Sequence, residues 1–314
     1  MLHKIAVIAA VSGAAWAQSS LIPDGISDGC RTFLTQLNSN SDLLSCTQNL
    51  VKATANYGPG GNATSTSASA MGSALTNICS SSTSCDESKV RSALSSFGSS
   101  CTAELTSNKN DVVLRTYDVL YALIPMRNAV CSKDDSGKWC VIQIGSSSSP
   151  TTASVALANN AVDTSHKVDA AAIQEFLWTK DASALSKRDD AIYPNSTTFA
   201  NNNVPFLTIQ KDASYAQLCT TCTRNVLTSY INFESTLPYQ PGLASSPLLN
   251  EQTDLYNGIK STCGPSFLQG AVAAAGSLSD GSSDKNGAST LRFDAQALFA
   301  VVLGAATMTV FAFF

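Results

Sequence analysis

Charged side chains are scarce in this sequence, and no cluster of basic residues occurs in it. Lys and Arg number 19 among 314 residues, Asp and Glu number 23, and the formal net charge is −4. Nucleic-acid-binding proteins concentrate positive charge on one face, so this composition excludes a typical nucleic-acid interface. We expect no nucleic acid among the partners of this protein.

Histidine is rare, and the common catalytic motifs are missing. The chain contains only two histidines, His3 and His166. It has no G-x-S-x-G elbow, no glycine-rich phosphate loop and no dinucleotide-binding fingerprint. A Ser/His/Asp triad would have to use His166, whose polar neighbours are typical of an exposed loop. The sequence therefore predicts no cofactor, no metal site and no catalytic residues, although it leaves open whether the protein is an enzyme.

Cysteine, in contrast, is abundant, and all ten cysteines lie between the two apolar terminal segments. An even number in a secreted chain indicates disulfide bonds, each of which stabilises a fold by roughly 2–4 kcal/mol. A zinc site would have to compete with this oxidation. The predicted disulfide residues are Cys30, Cys46, Cys79, Cys85, Cys101, Cys131, Cys140, Cys219, Cys222 and Cys263.

Two pairs of neighbouring cysteines suggest more specific interpretations. Cys219 and Cys222 have the spacing of a redox C-x-x-C motif, but such a motif needs a thiolate at a helix start, and this one lies inside a helical pattern. We interpret both residues as structural disulfide partners. The turn-like stretch between Cys131 and Cys140 predicts a bond that joins these two. The remaining connectivity is open.

The N-terminus has the organisation of a secretory signal peptide. Lys4 provides a positive charge, an apolar run follows it, and Ala15-Trp16-Ala17 forms a small-x-small cleavage site. The apolar run of about eleven residues is too short to span a bilayer as a helix. The sequence predicts cleavage between Ala17 and Gln18.

The C-terminus has a matching hydrophobic tail. Residues 295–314 contain no charged side chain, and they follow a polar spacer and a group of small residues. This order is typical of the signal for a glycosylphosphatidylinositol (GPI) anchor, in which the tail is replaced by lipid. The predicted attachment residue is Asn286, with Ser283 and Gly281 as alternatives. We expect the lipid to hold the protein in the outer leaflet, on the extracellular face of the plasma membrane or in the cell wall; a single-pass helix is the alternative.

Two sequons and a dibasic pair are further candidate modification sites. Asn62 in Asn-Ala-Thr and Asn195 in Asn-Ser-Thr are acceptors for N-glycans and are therefore predicted surface positions. Lys187-Arg188 fits a processing site for a kexin-like protease, although two solvated side chains explain the pair as well.

Apolar periodicity predicts a mainly α fold, a disulfide-stapled helical bundle with long loops. Between Val90 and Leu105 apolar residues recur at steps of three and four, and Ser84 with Glu87 fits a capping box in front of them. Helices this short need tertiary burial to be stable. The other predicted elements include helices over 111–124, from Asp212 to about Phe233 and after an N-cap at Ser246, with short strands over 141–144 and 206–209.

The linker-like stretch GSSSSP at 145–150 divides the chain. Within the first half, Cys30-x15-Cys46 resembles Cys85-x15-Cys101, which fits a duplicated helical hairpin or chance equally. The predicted regions are a signal peptide (1–17), an N-terminal cysteine-rich lobe (18–144), a linker and irregular region (145–204), a C-terminal cysteine-rich lobe (205–276), a low-complexity stalk with the anchor site (277–294) and the hydrophobic tail (295–314).

The C-terminal lobe carries a family resemblance. The stretch 219–276, CTTCTRNVLTSYINFESTLPYQPGLASSPLLNEQTDLYNGIKSTCGPSFLQGAVAAAG, resembles the C-terminal part of an uncharacterised fungal family of secreted, helical, cysteine-rich proteins that end in a GPI signal. The likeness extends more loosely over 112–131 and Trp139-Cys140. It implies a fungal source and a cell-surface or cell-wall setting, and it brings no catalytic residues.

The favoured function is therefore a GPI-anchored surface or wall protein with a structural or interaction role, in possible contact with cell-wall glycans. One alternative is a hydrolase of wall polysaccharide that uses a carboxylate pair, such as Asp111 with Asp118 or Glu234 with Glu251. Another is a lipid- or sterol-binding helical module. Six tyrosines could line a sugar or lipid groove, although their helical spacing is more typical of a core: Tyr117, Tyr121, Tyr215, Tyr230, Tyr239 and Tyr256.

Overall fold

The structure is a computed structural model, and it describes residues 22–54, 68–146, 175–180 and 192–268. Several predictions fall on other parts of the chain. Those outside the described residues are the signal cleavage site at Ala17 and Gln18, the sequon at Asn62, His166, the Lys187-Arg188 pair, the attachment candidates Gly281, Ser283 and Asn286, and the tail over 295–314.

Helices dominate the described residues, which confirms the predicted fold class. Strands β1 (Trp178–Lys180) and β2 (Ile192–Pro194) form an antiparallel pair in which Trp178 lies opposite Pro194. Within the described ranges no helix is both long enough and apolar enough to cross a membrane. The helices are α1 (Asp28–Asn38), α2 (Ser41–Thr54), α3 (Ala68–Ile78), α4 (Glu87–Ser100), α5 (Asp111–Val130), α6 (Cys140–Ser146), α7 (Ser196–Asn201), α8 (Tyr215–Leu218), α9 (Thr221–Thr236) and α10 (Gln252–Cys263).

Helix α5 is the centre of the fold, and most of its residues are buried because α4, α6 and α9 pack around it. Asn110 begins the helix, since its side-chain oxygen accepts hydrogen bonds from the backbone N–H groups of Val112 and Val113 at 3.1 and 3.2 Å. The prediction that α5 ends near Ile124 is wrong. Pro125 lies inside the helix, which continues to Val130 because tertiary packing outweighs one missing backbone donor.

Helix α4 carries most of the predicted apolar stripe, which is fully buried. The stripe continues past the end of α4, because Cys101 is its C-cap and Leu105 lies in the π-helical turn Ala103–Ser107. The predicted start of α4 is wrong, because the N-cap is Asp86 rather than Ser84. The Asp86 carboxylate accepts from the backbone N–H groups of Ser88 and Lys89 at 2.8 and 3.4 Å. Ser84 instead ends the short 3-10 turn Ser81–Thr83.

All ten cysteines form disulfide bonds, and the predicted Cys131–Cys140 bond is wrong. The intervening turn closes without it, since the Cys140 N–H donates to Ser132 O at 3.0 Å and the Asp134 N–H donates to Lys138 O at 2.8 Å. Cys131 ends α5 and Cys140 begins α6, so each meets a different helix. The five bonds are Cys30–Cys101, Cys46–Cys85, Cys79–Cys131, Cys140–Cys222 and Cys219–Cys263.

The two similar cysteine segments of the first half are bonded to each other. The first cysteine of the first segment is bonded to the last cysteine of the second, as Cys30–Cys101. The last cysteine of the first segment is bonded to the first cysteine of the second, as Cys46–Cys85. Cys85 precedes α4 and Cys101 follows it, so a disulfide joins each end of α4 to the segment that contains α1 and α2. Whether this arrangement arose by duplication stays a hypothesis.

Other predicted helices and strands differ from those in the structure, because the local sequence pattern contains no information about tertiary contacts. The predicted strand at 141–144 lies within α6, and the one at 206–209 overlaps the 3-10 turn Val204–Phe206. The long helix predicted from Asp212 is divided into α8 and α9 at Thr220, whose hydroxyl accepts from the Thr223 N–H at 3.1 Å. This break lets Cys219 and Cys222 meet different partners. Helix α10 begins at Gln252 and not after Ser246.

Residues from both predicted lobes contribute to one hydrophobic core. Helix α5 packs along α9, and the disulfide Cys140–Cys222 joins the two segments. Part of the predicted irregular region also enters this core, since Leu177 and Phe199 are fully buried. The core therefore draws on residues on both sides of the division predicted at 145.

Candidate functional site

Asp118 is a fully buried carboxylate in the middle of α5. The hydroxyl of Tyr239 donates to its Oδ1. Its Oδ2 accepts from the hydroxyl of Ser246 at 2.7 Å and from the backbone N–H of Leu248 at 2.9 Å. Burial raises the pKa of Asp118 to about 7, while these donors act in the opposite direction. Asp118 thereby fixes the loop between α9 and α10 against α5.

Glu234 is a second buried acid, on the face of α9 near the same aromatic residues. Its carboxylate accepts from Gln252 Nε2 at 2.7 Å, and burial raises its pKa to about 7. Tyr121 donates to Leu237 O at 2.8 Å and packs edge-on against Tyr239 with ring centroids 5.0 Å apart. These buried polar groups are tied to neighbouring parts of the protein and have no open approach.

The nominated carboxylate pairs are not brought together in a cleft. Asp118 is buried, whereas Asp111 lies two turns earlier on the same helix, is exposed and pairs with Arg115. Glu234 is buried, whereas Glu251 is partly exposed and lies 4.0 Å from Lys211. A glycosidase needs two acids that both reach the substrate, about 5–10 Å apart. Neither pair meets that requirement.

The tyrosines do not form a common groove. Tyr117, Tyr121, Tyr230 and Tyr239 are core residues, and the Tyr230 hydroxyl donates to Pro205 O at 2.7 Å. Tyr215, by contrast, is 67% exposed at the start of α8. Helical spacing favoured a core role, and for these four residues that interpretation is confirmed.

One group of potential metal ligands occurs among the described residues, at Cys30, Cys101 and Glu104. Cys30 and Cys101 are bonded to each other, so neither offers a thiolate. One carboxylate oxygen of Glu104 already accepts from the backbone N–H of Ser27 at 2.6 Å. The donor set is therefore unsuited to a metal ion.

A partly open cavity of about 370 Å³ lies beside α6, between the 134–136 turn and the segment 208–213. Helix α8 and the start of α9 close its other side. Ile144, Ile209 and Leu218 form its apolar walls, and the Cys140–Cys222 bond lies at its base through Cys222. Its volume is within the range of small-molecule sites.

The polar wall of this cavity contains an unusual backbone segment. Asn203, Leu207 and Thr208 have positive φ angles of 49°, 52° and 60°. Their conformation is held by side chains, since Asn203 Nδ2 donates to Ile209 O at 2.9 Å, and Gln210 Nε2 donates to both Asn202 O and Thr208 O at 3.2 Å. A β-branched residue such as Thr208 rarely adopts this conformation.

Acidic residues form the rim of the cavity. The hydroxyl of Thr221 donates to Asp135 Oδ2 at 2.6 Å. Asp134 accepts from the Ser136 hydroxyl at 2.7 Å and from two backbone N–H groups, and these bonds lower its pKa. No lysine or arginine lines the cavity in the part of the chain that is described.

The sequence did not nominate Thr208 or Gln210, because the stretch 206–209 was predicted as a strand. The alternation of polar and apolar residues in Phe206-Leu-Thr-Ile-Gln210 was the signal that marked them. The alternation does not separate buried from cavity-lining positions, because Thr208, Ile209 and Gln210 are all largely buried and all line the cavity on an irregular backbone.

The sequon residue Asn195 is the N-cap of α7, where its Oδ1 accepts from the Thr198 N–H at 3.3 Å. The side chain is half-buried, and its Nδ2 makes no hydrogen bond within the described ranges. An N-glycan attaches to Nδ2, so attachment would leave the cap in place. Glycosylation here stays a prediction.

Comparison with known proteins gives one match. Residues 17–168 match a domain of unknown function (DUF7729). The DUF7729 segment contains α1–α6 and three complete disulfides, while its Cys140 is bonded to Cys222 outside it. No curated protein and no solved structure matches the chain.

The DUF7729 match is consistent with an uncharacterised family, but it covers a different part of the chain from the resemblance. The resemblance was drawn chiefly over 219–276, whereas the matched segment covers the N-terminal half. DUF7729 carries no assigned activity. Function must therefore be argued from the residues themselves.

Proposed function

We propose that this protein is an extracellular protein of the cell surface or cell wall, held by a GPI lipid, with a structural or interaction role. The observation that carries the proposal is the complete pairing of all ten cysteines into five disulfides. Disulfides form and persist in secreted proteins and are rare in the cytosol. The pairing therefore supports an oxidising, extracellular location.

The two terminal segments support the same location and add the anchor. The signal peptide and the tail contain none of the cysteines, so their removal would leave every disulfide intact. The DUF7729 match starts at Ala17, the last residue of the predicted signal peptide. The earlier resemblance, with its fungal cell-wall setting, is consistent with this proposal.

The fate of the nominated acids supports a role without catalysis. Asp118 and Glu234, the buried member of each pair, make hydrogen bonds within the core. Their more exposed counterparts, Asp111 and Glu251, lie near basic residues instead. Polar groups that are open to solvent line the small cavity beside α6. A module that contacts other wall or surface components fits this distribution better than a hydrolase does.

The anchor is tested by expressing the full chain in a eukaryotic host and treating the membranes with a phosphatidylinositol-specific phospholipase. We expect release into the aqueous phase and loss of residues after the attachment site. A chain truncated after Asn286 is the matched control, because it should be secreted without treatment. Mass spectrometry of the C-terminal peptide then distinguishes Asn286 from Ser283 and Gly281. Membrane retention together with an intact tail peptide would overturn the anchor and favour a single-pass helix.

A further inference from the structure

Two polar groups on the wall of the α6 cavity are without partners. Thr208 is 8% exposed and Gln210 is 6% exposed. Gln210 Nε2 donates hydrogen bonds to two backbone carbonyl groups. Among the residues that the structure describes, Gln210 Oε1 accepts no hydrogen bond, and the Thr208 hydroxyl makes none. Neither atom is sealed from solvent, so both are open to water on the cavity wall, where the hydroxyl of a ligand can replace that water.

The backbone supports the same interpretation. Thr208 adopts a φ angle of 60° although its side chain is branched at Cβ. Hydrogen bonds from Asn203 Nδ2 to Ile209 O and from Gln210 Nε2 to Thr208 O hold the backbone in this conformation. Strain of this kind persists where the surrounding structure enforces it, and it is common at binding sites. Here the enforced conformation places a Thr hydroxyl on the cavity wall.

The lining identifies the class of ligand. Asp134, Asp135 and Gln210 Oε1 are acceptors, the Thr208 hydroxyl can donate or accept, and Ile209 and Leu218 are apolar. Acidic side chains without a neighbouring lysine or arginine on the wall disfavour an anion. A sugar ring presents hydroxyl donors on its edge and apolar C–H groups on its faces, which matches such a mixed surface.

We propose that this cavity binds a neutral saccharide unit, with hydrogen bonds from the sugar hydroxyls to Thr208 and Gln210 and apolar contact with Ile209 and Leu218. The proposal deepens the proposed function, because extracellular glycans are the source of such units. Sugar binding itself does not require the anchor.

The test uses the full-length protein purified in detergent, so a negative anchor experiment does not affect it. Calorimetry is performed with oligosaccharides of glucose, mannose and N-acetylglucosamine, and in parallel with oligogalacturonate and with oligoglucosamine. We expect binding of at least one neutral oligosaccharide and none of the anionic one. Binding of no neutral oligosaccharide, or stronger binding of either charged one, would overturn the proposal.

Thr208→Val locates the site, because valine keeps the branched shape and the backbone preference and removes only the hydroxyl. We expect at least about tenfold weaker binding, the loss that corresponds to one good hydrogen bond. The control is Thr35→Val, an exposed threonine on α1 whose hydroxyl bonds only to Arg31 O at 2.8 Å; its affinity should equal the wild type. Unchanged affinity in Thr208→Val, with a normal melting temperature, would place the sugar elsewhere and refute the assignment.

Discussion

The sealed cluster around Asp118 and the open cavity around Thr208 both contain buried polar groups, yet they differ in how these groups are satisfied. Each carboxylate oxygen of Asp118 has a protein donor. The Thr208 hydroxyl and Gln210 Oε1 have no protein partner among the described residues and are open to water on the wall of a cavity. A network that the protein completes by itself stabilises the fold. A network left incomplete where a ligand can enter is a candidate binding site.

The two regions also differ in what they connect. Asp118 joins the longest described helix to a loop more than a hundred residues later, through Tyr239, Ser246 and Leu248. Thr208 belongs to a short segment whose hydrogen bonds remain local. Removal of a polar group should therefore affect stability strongly in the first region and weakly in the second.

Asp118→Ala is the change with the largest expected effect. It leaves the hydroxyls of Tyr239 and Ser246 without their acceptor in the core, and the Leu248 N–H keeps only its bond to Ser246 Oγ at 3.2 Å. We therefore expect the free energy of unfolding to fall by about 3–5 kcal/mol. Urea unfolding measures the change. Asp111→Ala, an exposed acid on the same helix, should alter stability by about 0.5 kcal/mol or less. A loss below about 1 kcal/mol in Asp118→Ala would contradict a structural role for the cluster.

Removal of the Cys140–Cys222 bond tests whether the cavity depends on the core. The Cys140→Ala/Cys222→Ala double variant should lose about 2–4 kcal/mol of stability and also bind sugar more weakly, because Cys222 lines the cavity. The Cys46→Ala/Cys85→Ala variant is the matched control, since that bond lies between α2 and the start of α4. It should lose similar stability and keep its affinity. Equal loss of sugar affinity in both variants would show that the affinity depends only on the stability of the whole protein and not on the Cys140–Cys222 bond.

The buried acids make stability depend on pH. In the folded state the pKa values of Asp118 and Glu234 are raised to about 7, from 3.8 and 4.5. The folded protein therefore holds more protons than the unfolded chain between these values. Its stability is greatest below the unfolded pKa values and is lost as the pH rises through about 7.

We expect the free energy of unfolding to be about 1–3 kcal/mol larger at pH 5 than at pH 8. Asp118 alone can contribute at most about 3 kcal/mol over this range, because about two pH units separate pH 5 from its folded pKa of about 7. Exposed carboxylates with lowered pKa values are ionised in both states between pH 5 and pH 8, so they do not change the difference. Denaturant titrations at the two pH values measure the difference, which should shrink in Asp118→Asn. Stability that rises from pH 5 to pH 8 would be the contrary result.

Thr208→Val has the smallest expected effect on stability. The hydroxyl has no partner to lose, so the free energy of unfolding should change by about 0.5 kcal/mol or less while sugar affinity falls. The melting temperature without ligand measures the first quantity. A loss of stability comparable to that of Asp118→Ala would show that the Thr208 hydroxyl stabilises the fold. The two regions would then not differ in the way proposed.

Much of the fold follows from local pattern. The apolar stripe from Val90 to Leu105 predicted α4 with its buried face, and the same periodicity predicted most of α5. Pro125 could not be interpreted correctly from sequence, because the cost of a missing donor had to be weighed against burial on all sides of α5. The start of α4 at Asp86 was within reach, since Asp is as good an N-cap as Ser.

The candidate site was less accessible to prediction. Asp118 was nominated as a catalytic acid only for its residue type, and its burial depends on a loop distant in sequence. Thr208 was assigned to a strand, because alternation of apolar and polar residues is shared by strands and by irregular segments. Nothing in the residue order indicated that Gln210 would hold this backbone in place.

The sequence by itself determined that the protein is helical and that its cysteines pair, because helical periodicity and an even cysteine count are properties of the chain alone. Only the tertiary structure decided that Cys131 bonds to Cys79 and Cys140 to Cys222, since a disulfide forms between residues that are close in space. It also decided which acids are sealed and which polar groups face a cavity. Burial and partners depend on how distant segments pack, and no local pattern records that packing.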